Sequence, residues 1–188
     1  MSSSSAPHAP NSDEWWDVTD EHGHPTGQTY RRGDPDWPSG RFHLIVATCI
    51  YRHDGAVLLT QRSATKEFPL TWEFPGGSAF SGESSKDAAR RELREETGLQ
   101  VPASGLIFVE RFRESSALMD LYTAPAGQEI ELTLCPDEVA TAEWVTLDEL
   151  QFRLQAGEMA LPWKARLEKL WTPLVDVLRE ALSAARAT

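Results

Sequence analysis

Glu92, Glu95 and Glu96 stand at i, i+3 and i+4 within GGSAFSGESSKDAARRELREETGL, the stretch from Gly76 to Leu99. At about 100° per residue, such spacing on a helix puts three carboxylates on one face. Like charges at i, i+4 cost an isolated helix roughly 0.2–0.5 kcal/mol per pair. A solvated acidic face is one reading, with Lys86, Arg90, Arg91 and Arg94 offsetting the charge. Such faces usually interleave opposite signs at i, i+4, whereas Glu92 and Glu96 are themselves an i, i+4 pair. The other reading is a cation site. A divalent metal turns the repulsion into binding, and carboxylate oxygens suit Mg²⁺ or Mn²⁺; Mg²⁺ keeps waters and takes substrate phosphates as its remaining ligands.

The helix that carries these residues has readable ends. Ser84 with Asp87 three residues on resembles a capping box, and Gly98 is placed as the C′ residue. Ala89 and Leu93 fall on a neighbouring face that can pack on a sheet. Upstream, Trp15–Asp20 and Thr26–Arg31 read as two strands around a His-Gly-His-Pro turn, and RGDPDWPSGRF reads as loop. FHLIVATCIYR is an apolar strand, Asp54-Gly55 supplies hairpin chemistry, and AVLLTQRS returns as its partner. TWEFPGG is a further strand leading into the acidic segment. Downstream, GLIFVERFRES and ALMDLYTAP read as alternating strands, EIELTL as a short one and ATAEWVTL as another. Thr146 or Asp148 starts a helix over DELQFRLQAG. Leu167, Leu170, Trp171, Leu174, Leu178 and Leu182 keep helical spacing in a last helix that Pro173 should interrupt or kink. The expected organisation is a disordered tail over 1–13 and one domain over 14–188. That domain divides into a hairpin extension (14–40), a core (41–156) and a C-terminal helix (162–186), a mixed sheet with packed helices.

The 188 residues suffice for one core of ordinary size. No run reaches the roughly 18 apolar residues of a membrane span, and the first residues lack a basic and apolar leader, so a cytoplasmic location is expected. A formal charge of −11 argues against non-specific binding to nucleic-acid polymers or anionic membranes. A small phosphorylated substrate remains compatible, because a bound metal inverts the local field. Cys49 and Cys135 make no disulfide framework; Cys49 reads as a buried small hydrophobe.

From Gly77 the acidic segment resembles the Nudix box: glycine, five residues, glutamate, seven residues, then R-E-U-x-E-E-x-G-U with U a bulky aliphatic. Gly77, Glu83, Arg91, Glu92, Leu93, Glu95, Glu96, Gly98 and Leu99 fill all nine specified positions over 23 residues. The resemblance implies the Nudix α/β/α sandwich, an α+β fold with helices on both sides of a mixed sheet. It implies that Glu92, Glu95 and Glu96 bind Mg²⁺ or Mn²⁺, with a backbone carbonyl from Gly77 and with Glu83 binding or orienting. Arg91 would hold the glutamates by charge-assisted hydrogen bonds. An acidic residue outside the box would act as base or further ligand, and Glu138, then Glu143, are the candidates. The implied reaction is hydrolysis of a nucleoside diphosphate linked to another moiety, a small-molecule substrate.

The segment WDVTDEHGHPTGQTYRRGD…FHLIVATCIY is also similar to the start of isopentenyl diphosphate isomerase and its Nudix hydrolase relatives. His43 matches one metal-ligand histidine of that isomerase. The Cys- and His-bearing loop expected next is replaced by LTWEFPGGSAF, and the isomerase tends to depart from the full box kept here. A catalytically dead nucleotide-binding module would show a broken box. Outside the phosphates, Trp72 and Phe74 are candidates to stack on a base, although strand alternation puts at least one in the core. Arg111, with Arg113 on the same strand face, is a candidate phosphate contact. Trp15, Trp16, Tyr30 and Trp37 could build a pocket wall or a homodimer surface.

Overall fold

The chain was described as a computed structural model covering residues 14–127 and 130–186. The expected tail over 1–13 lies outside the described residues. The hairpin comprises β1 (Trp15–Thr19) and β2 (Pro25–Arg31), paired antiparallel as a separate two-stranded sheet. The main sheet uses β3 (His43–Tyr51), β4 (Val57–Arg62), β5 (Trp72–Glu73), β6 (Gly76–Ser78), β7 (Ile107–Arg113), β8 (Ala117–Pro125) and β9 (Val139–Val145). Its helices are α1 (Ser85–Thr97), α2 (Leu147–Ala156) and α3 (Pro162–Arg186).

Strand order is β5-β4-β3-β8-β7, with β6 added to β3 and β9 to β4. β3 and β8 run parallel over their full length, and the other pairings are antiparallel. Alternating side chains of β3 sort into two cores. Val46 and Ile50 meet Ala88, Ala89 and Leu93 of α1, while Ala47, Cys49 and Tyr51 meet the α3 side with Trp163, Leu167, Leu170 and Leu174. The result is an α+β sandwich with helices on both faces.

Four elements differ from their sequence reading. β8 does not alternate: its first eight residues are buried, because helices cover both faces of this central strand. TWEFPGG is two strands, β5 and β6, broken at Phe74-Pro75, where proline cannot donate to a ladder. The described part of EIELTL, residues 130–134, is not a strand; Thr133 instead bonds Thr97 next to the end of α1. Pro173 lies inside a continuous α3 rather than interrupting it. Leu167, Leu170, Leu174 and Leu178 are buried on either side of it, so packing holds the helix across the missing donor.

His43, at the start of β3, ties the hairpin to this sheet. Its ring stacks on Trp16 at 4.3 Å, meets Trp37 edge-on at 5.3 Å, and its Nδ1 lies 3.1 Å from the Ser116 carbonyl. Burial holds the imidazole below the usual histidine range, against the pull of Ser116 and Glu114. The stability it contributes is therefore present above the unfolded value of about 6.5 and is lost as pH falls through the folded value. Chemical denaturation of wild type and His43→Gln between pH 7.5 and 5 checks this. The variant is expected to lose less stability across that interval; parallel curves would contradict it.

Candidate active site

The acidic segment folds as its ends dictate. Ser84 Oγ accepts the Asp87 amide at 3.1 Å, and Gly98, at φ 76°, closes α1 by donating to the Arg94 carbonyl. Burial of Ala88, Ala89 and Leu93 at 0–1% exposure fixes the helix rotation. That rotation turns Glu92 and Glu96 inward toward β6 and leaves Glu95 half-exposed.

Arg91 gathers the glutamates. Its Nε and Nη2 donate to the two carboxylate oxygens of Glu83 at 2.9 and 2.8 Å. Nη1 donates to Glu92 at 2.8 Å and Glu95 at 3.1 Å, and Nη2 also reaches the Ser78 carbonyl at 2.9 Å. The Phe80 ring lies 3.8 Å beneath the guanidinium. One cation thus orients three carboxylates through charge-assisted bonds.

Glu96 lies deeper, with its side chain only 3% exposed. It accepts the Gly76 amide at 3.2 Å, and the Lys66 ammonium stands 3.7 Å away. Burial pushes its carboxyl up to about 8, with Glu73 and Glu92 adding to the rise and Lys66 opposing it. Burial also raises Glu73 and Glu92, against Arg62 and Arg91 respectively. All three are raised chiefly by burial, so a further cation would favour their charged forms.

The two glycines let the backbone approach these acids. A Cβ on Gly77 would sit 2.5 Å from the Glu92 carboxylate, and one on Gly76 would sit 2.0 Å from the Val46 carbonyl oxygen. Beside them opens a cavity of about 250 Å³ lined by Arg62, Phe68, Glu73, Phe74, Trp163 and Arg166, among others. A second cavity of about 350 Å³ is lined by Asp87, Arg90, Arg91, Arg94 and residues 100–102, and no glutamate borders it. The first has Glu67, Glu73 and the Gly76-Gly77 backbone in its wall.

Hard oxygen donors and a glycine cradle fit a divalent cation. Among the described residues, no three His, Cys, Asp or Glu side chains already converge as a metal-holding group. Arg91 engages both carboxylate oxygens of Glu83 and one oxygen each of Glu92 and Glu95.

Glu138 is brought to this neighbourhood through Lys66, whose ammonium it binds, whereas Glu143 pairs with Arg153 at 2.6 Å on α2. Trp72 and Phe74, the candidates to stack on a base, belong to the α3-side core. Both are buried on the α3 side, at 8% and 1% exposure. Arg153 covers the Trp72 ring at 4.4 Å, whereas Phe74 meets Trp163 edge-on at 5.0 Å and also lines the cavity of about 250 Å³. Arg111, the candidate phosphate contact, is engaged within the fold. Its guanidinium grips buried Asp120 at 2.6 and 2.8 Å and donates to the His22 carbonyl, which leaves little for a phosphate. Arg113 pairs with Glu21 and lies over Phe42. Trp16, Tyr30 and Trp37 pack on one another and His43.

Sequence reasoning missed Lys66 and Glu73. Glu73 left a trace, as the one charged residue in TWEFP directly before the glycines. Lys66 left none, because its partners are 30 and 72 residues away.

A family model described as NUDIX domain matches residues 41–167. An uncharacterized Nudix hydrolase of Listeria monocytogenes is 34% identical over 148 residues, 77% of this chain and 87% of that protein. The isopentenyl-diphosphate Delta-isomerase of Nocardia farcinica is 35% identical over 141 residues, 68% of this chain and 78% of that protein. Among solved structures, DR0079 from Deinococcus radiodurans superposes with a TM-score of 0.66 at 26% identity, covering 78% of this chain and 92% of that one.

Proposed function

This chain belongs to the Nudix hydrolase family, and we propose that it hydrolyses the diphosphate linkage of a small molecule in which a nucleoside diphosphate is joined to another moiety, using Mg²⁺ or Mn²⁺. The observation that carries this reading is the gathering of Glu83, Glu92 and Glu95 on Arg91, beside buried Glu96 and the Gly76-Gly77 backbone.

In this reading Glu92, Glu95 and Glu96 hold the metal, with Gly77 offering its carbonyl and Glu83 orienting Arg91. The cation supplies charge neutralisation on the phosphates and acidifies a bound water. The protein's own groups do the rest. Arg91 fixes the carboxylate rotamers so that they need not be ordered at the moment of reaction. Glu138, which binds the Lys66 ammonium, would take a proton from the attacking water. Arg62 and Arg166 bring positive charge to the cavity wall, beside Phe68 and Trp163.

The isomerase relative makes a second reaction worth testing. Two features speak against it. The loop after β4 carries neither Cys nor His before the box. Cys49 is fully buried, and burial pushes its thiol far above the ordinary range, which disfavours the thiolate. Incubation with Mg²⁺ or Mn²⁺ and a panel of nucleoside triphosphates, dinucleotides, nucleotide sugars and prenyl diphosphates, with products identified, decides between them. Phosphate-bearing cleavage products that vanish with chelator are expected. Dimethylallyl diphosphate formed from its isomer, without cleavage, would overturn the hydrolase reading.

A further inference from the structure

The β1–β2 hairpin lies outside the family-matched segment, yet one of its carboxylates is bonded into the loop that carries Glu83. Asp17 Oδ1 accepts the Ser81 hydroxyl at 2.7 Å, and its Oδ2 accepts the Gly82 amide at 2.8 Å. The Trp15 carbonyl accepts the Ser81 amide at 2.7 Å. Three bonds from one strand therefore hold two consecutive loop residues, one of them a glycine at φ 79°.

The next residue is Glu83. Its amide donates to the Phe80 carbonyl at 2.9 Å, and its carboxylate accepts the Phe80 amide at 3.0 Å. The same carboxylate holds Arg91 with both oxygens, and Arg91 in turn holds Glu92 and Glu95. A continuous hydrogen-bonded path thus joins Asp17 to two glutamates of the acidic face. The hairpin that supplies Asp17 is braced at its other end. Thr19 and Phe42 exchange backbone bonds of 2.7 and 3.1 Å, Arg111 donates to the His22 carbonyl, and Arg113 pairs with Glu21. A strand fixed at both ends can hold a loop; a free one could not.

We propose that Asp17 is a positioning residue for the glutamate site: it fixes the Ser81–Gly82 turn so that Glu83 presents both oxygens to Arg91, which sets where Glu92 and Glu95 stand. This rests on reading the acidic face of α1 as the metal site. Asp17 touches neither metal nor substrate; it acts through Glu83 and Arg91. The hairpin extension is in this account part of the active-site support.

The test compares full-length wild type with Asp17→Ala, Asp17→Asn and Ser81→Ala. Binding of Mn²⁺ alone is followed by the loss of the free-ion electron paramagnetic resonance signal, alongside kcat, KM and melting temperature. Partners that orient ligands cost about 10–100-fold in metal affinity or activity when removed. Asp17→Ala is expected to weaken Mn²⁺ binding and lower kcat by about tenfold or more, with KM changed much less. Asp17→Asn, which keeps one acceptor oxygen, should fall between it and wild type. Ser81→Ala removes one of the three bonds and should show a smaller loss in the same direction; it carries the test if Asp17→Ala does not fold. Wild-type Mn²⁺ affinity in Asp17→Ala, or in Ser81→Ala where that variant decides, overturns the proposal. Glu95→Gln in the same assays separates the two levels. Normal Mn²⁺ binding and turnover there overturn the metal-site reading itself, whereas a loss there with none in Asp17→Ala overturns the positioning role alone.

Discussion

Glu96→Gln is expected to fold normally and to lose the proposed hydrolysis by about 10²–10⁴-fold, the range that removal of a positioned acid–base group produces. The variant isolates charge from shape. Glutamine keeps the side-chain volume and an oxygen that can still accept the Gly76 amide, now 3.2 Å from Glu96. Folding has little to lose, because burial already favours the uncharged carboxyl at this position. What disappears is a carboxyl that can ionise when a metal arrives or a proton must move. Glu95→Gln follows the same logic at a half-exposed position, where stability is even less engaged. Thermal melts and steady-state rates on an identified substrate check both. Rates within about twofold of wild type in both variants would count against the assignment.

Gly76 and Gly77 should fail in different ways when replaced by alanine. At Gly76 the new Cβ would stand 2.0 Å from the Val46 carbonyl oxygen and 2.8 Å from the Ala47 Cα, both backbone atoms of β3. Backbone cannot step aside without breaking the β3–β6 pairing, in which Ala47 faces Gly76. Gly76→Ala should therefore cost about 3 kcal/mol or more, at or beyond the upper end of ordinary overpacking. At Gly77 the nearest atoms are the carboxylate of Glu92, the far end of a flexible side chain. Glu92 can swing away, so Gly77→Ala should cost under about 1 kcal/mol yet displace a glutamate of the site. Its activity should fall by about 10–100-fold with a near-normal melting temperature. Denaturant titration with kinetics separates the pair; equal melting temperatures, or a fully active Gly77→Ala, would refute the contrast.

The sequence-level reading went furthest where chemistry is local. The α1 boundaries follow from Ser84, Asp87 and Gly98, and the packing of Ala89 and Leu93 from their spacing, whereas the split between inward Glu92 and Glu96 and half-exposed Glu95 appears only in the structure. The order of strands around β3 is harder to read, because β8 returns in parallel after more than sixty intervening residues. β8 looked like an alternating strand, since Asp120 and Thr123 break its apolar run. Both are in fact buried and bonded, Asp120 to Arg111 and Ser85, and Thr123 to the Cys49 carbonyl. Polar residues satisfied in this way are invisible to a hydropathy pattern. Trp72 and Phe74 were ambiguous for a related reason: period 2 shows that they share a face but not which helix covers it. Pro173 shows packing overriding propensity. Lys66, Glu73 and Asp17 enter the site through contacts 11 to 72 residues apart, which spacing cannot reveal.

The measurement that bears most directly on the whole account is the anomalous difference density of crystals soaked in Mn²⁺, paired with turnover in the presence of chelator. A peak bordered by the carboxylates of Glu92, Glu95 and Glu96, with hydrolysis abolished by chelator and restored by Mg²⁺ or Mn²⁺, is the expected result. Density absent from that face, with turnover indifferent to chelator, would contradict it.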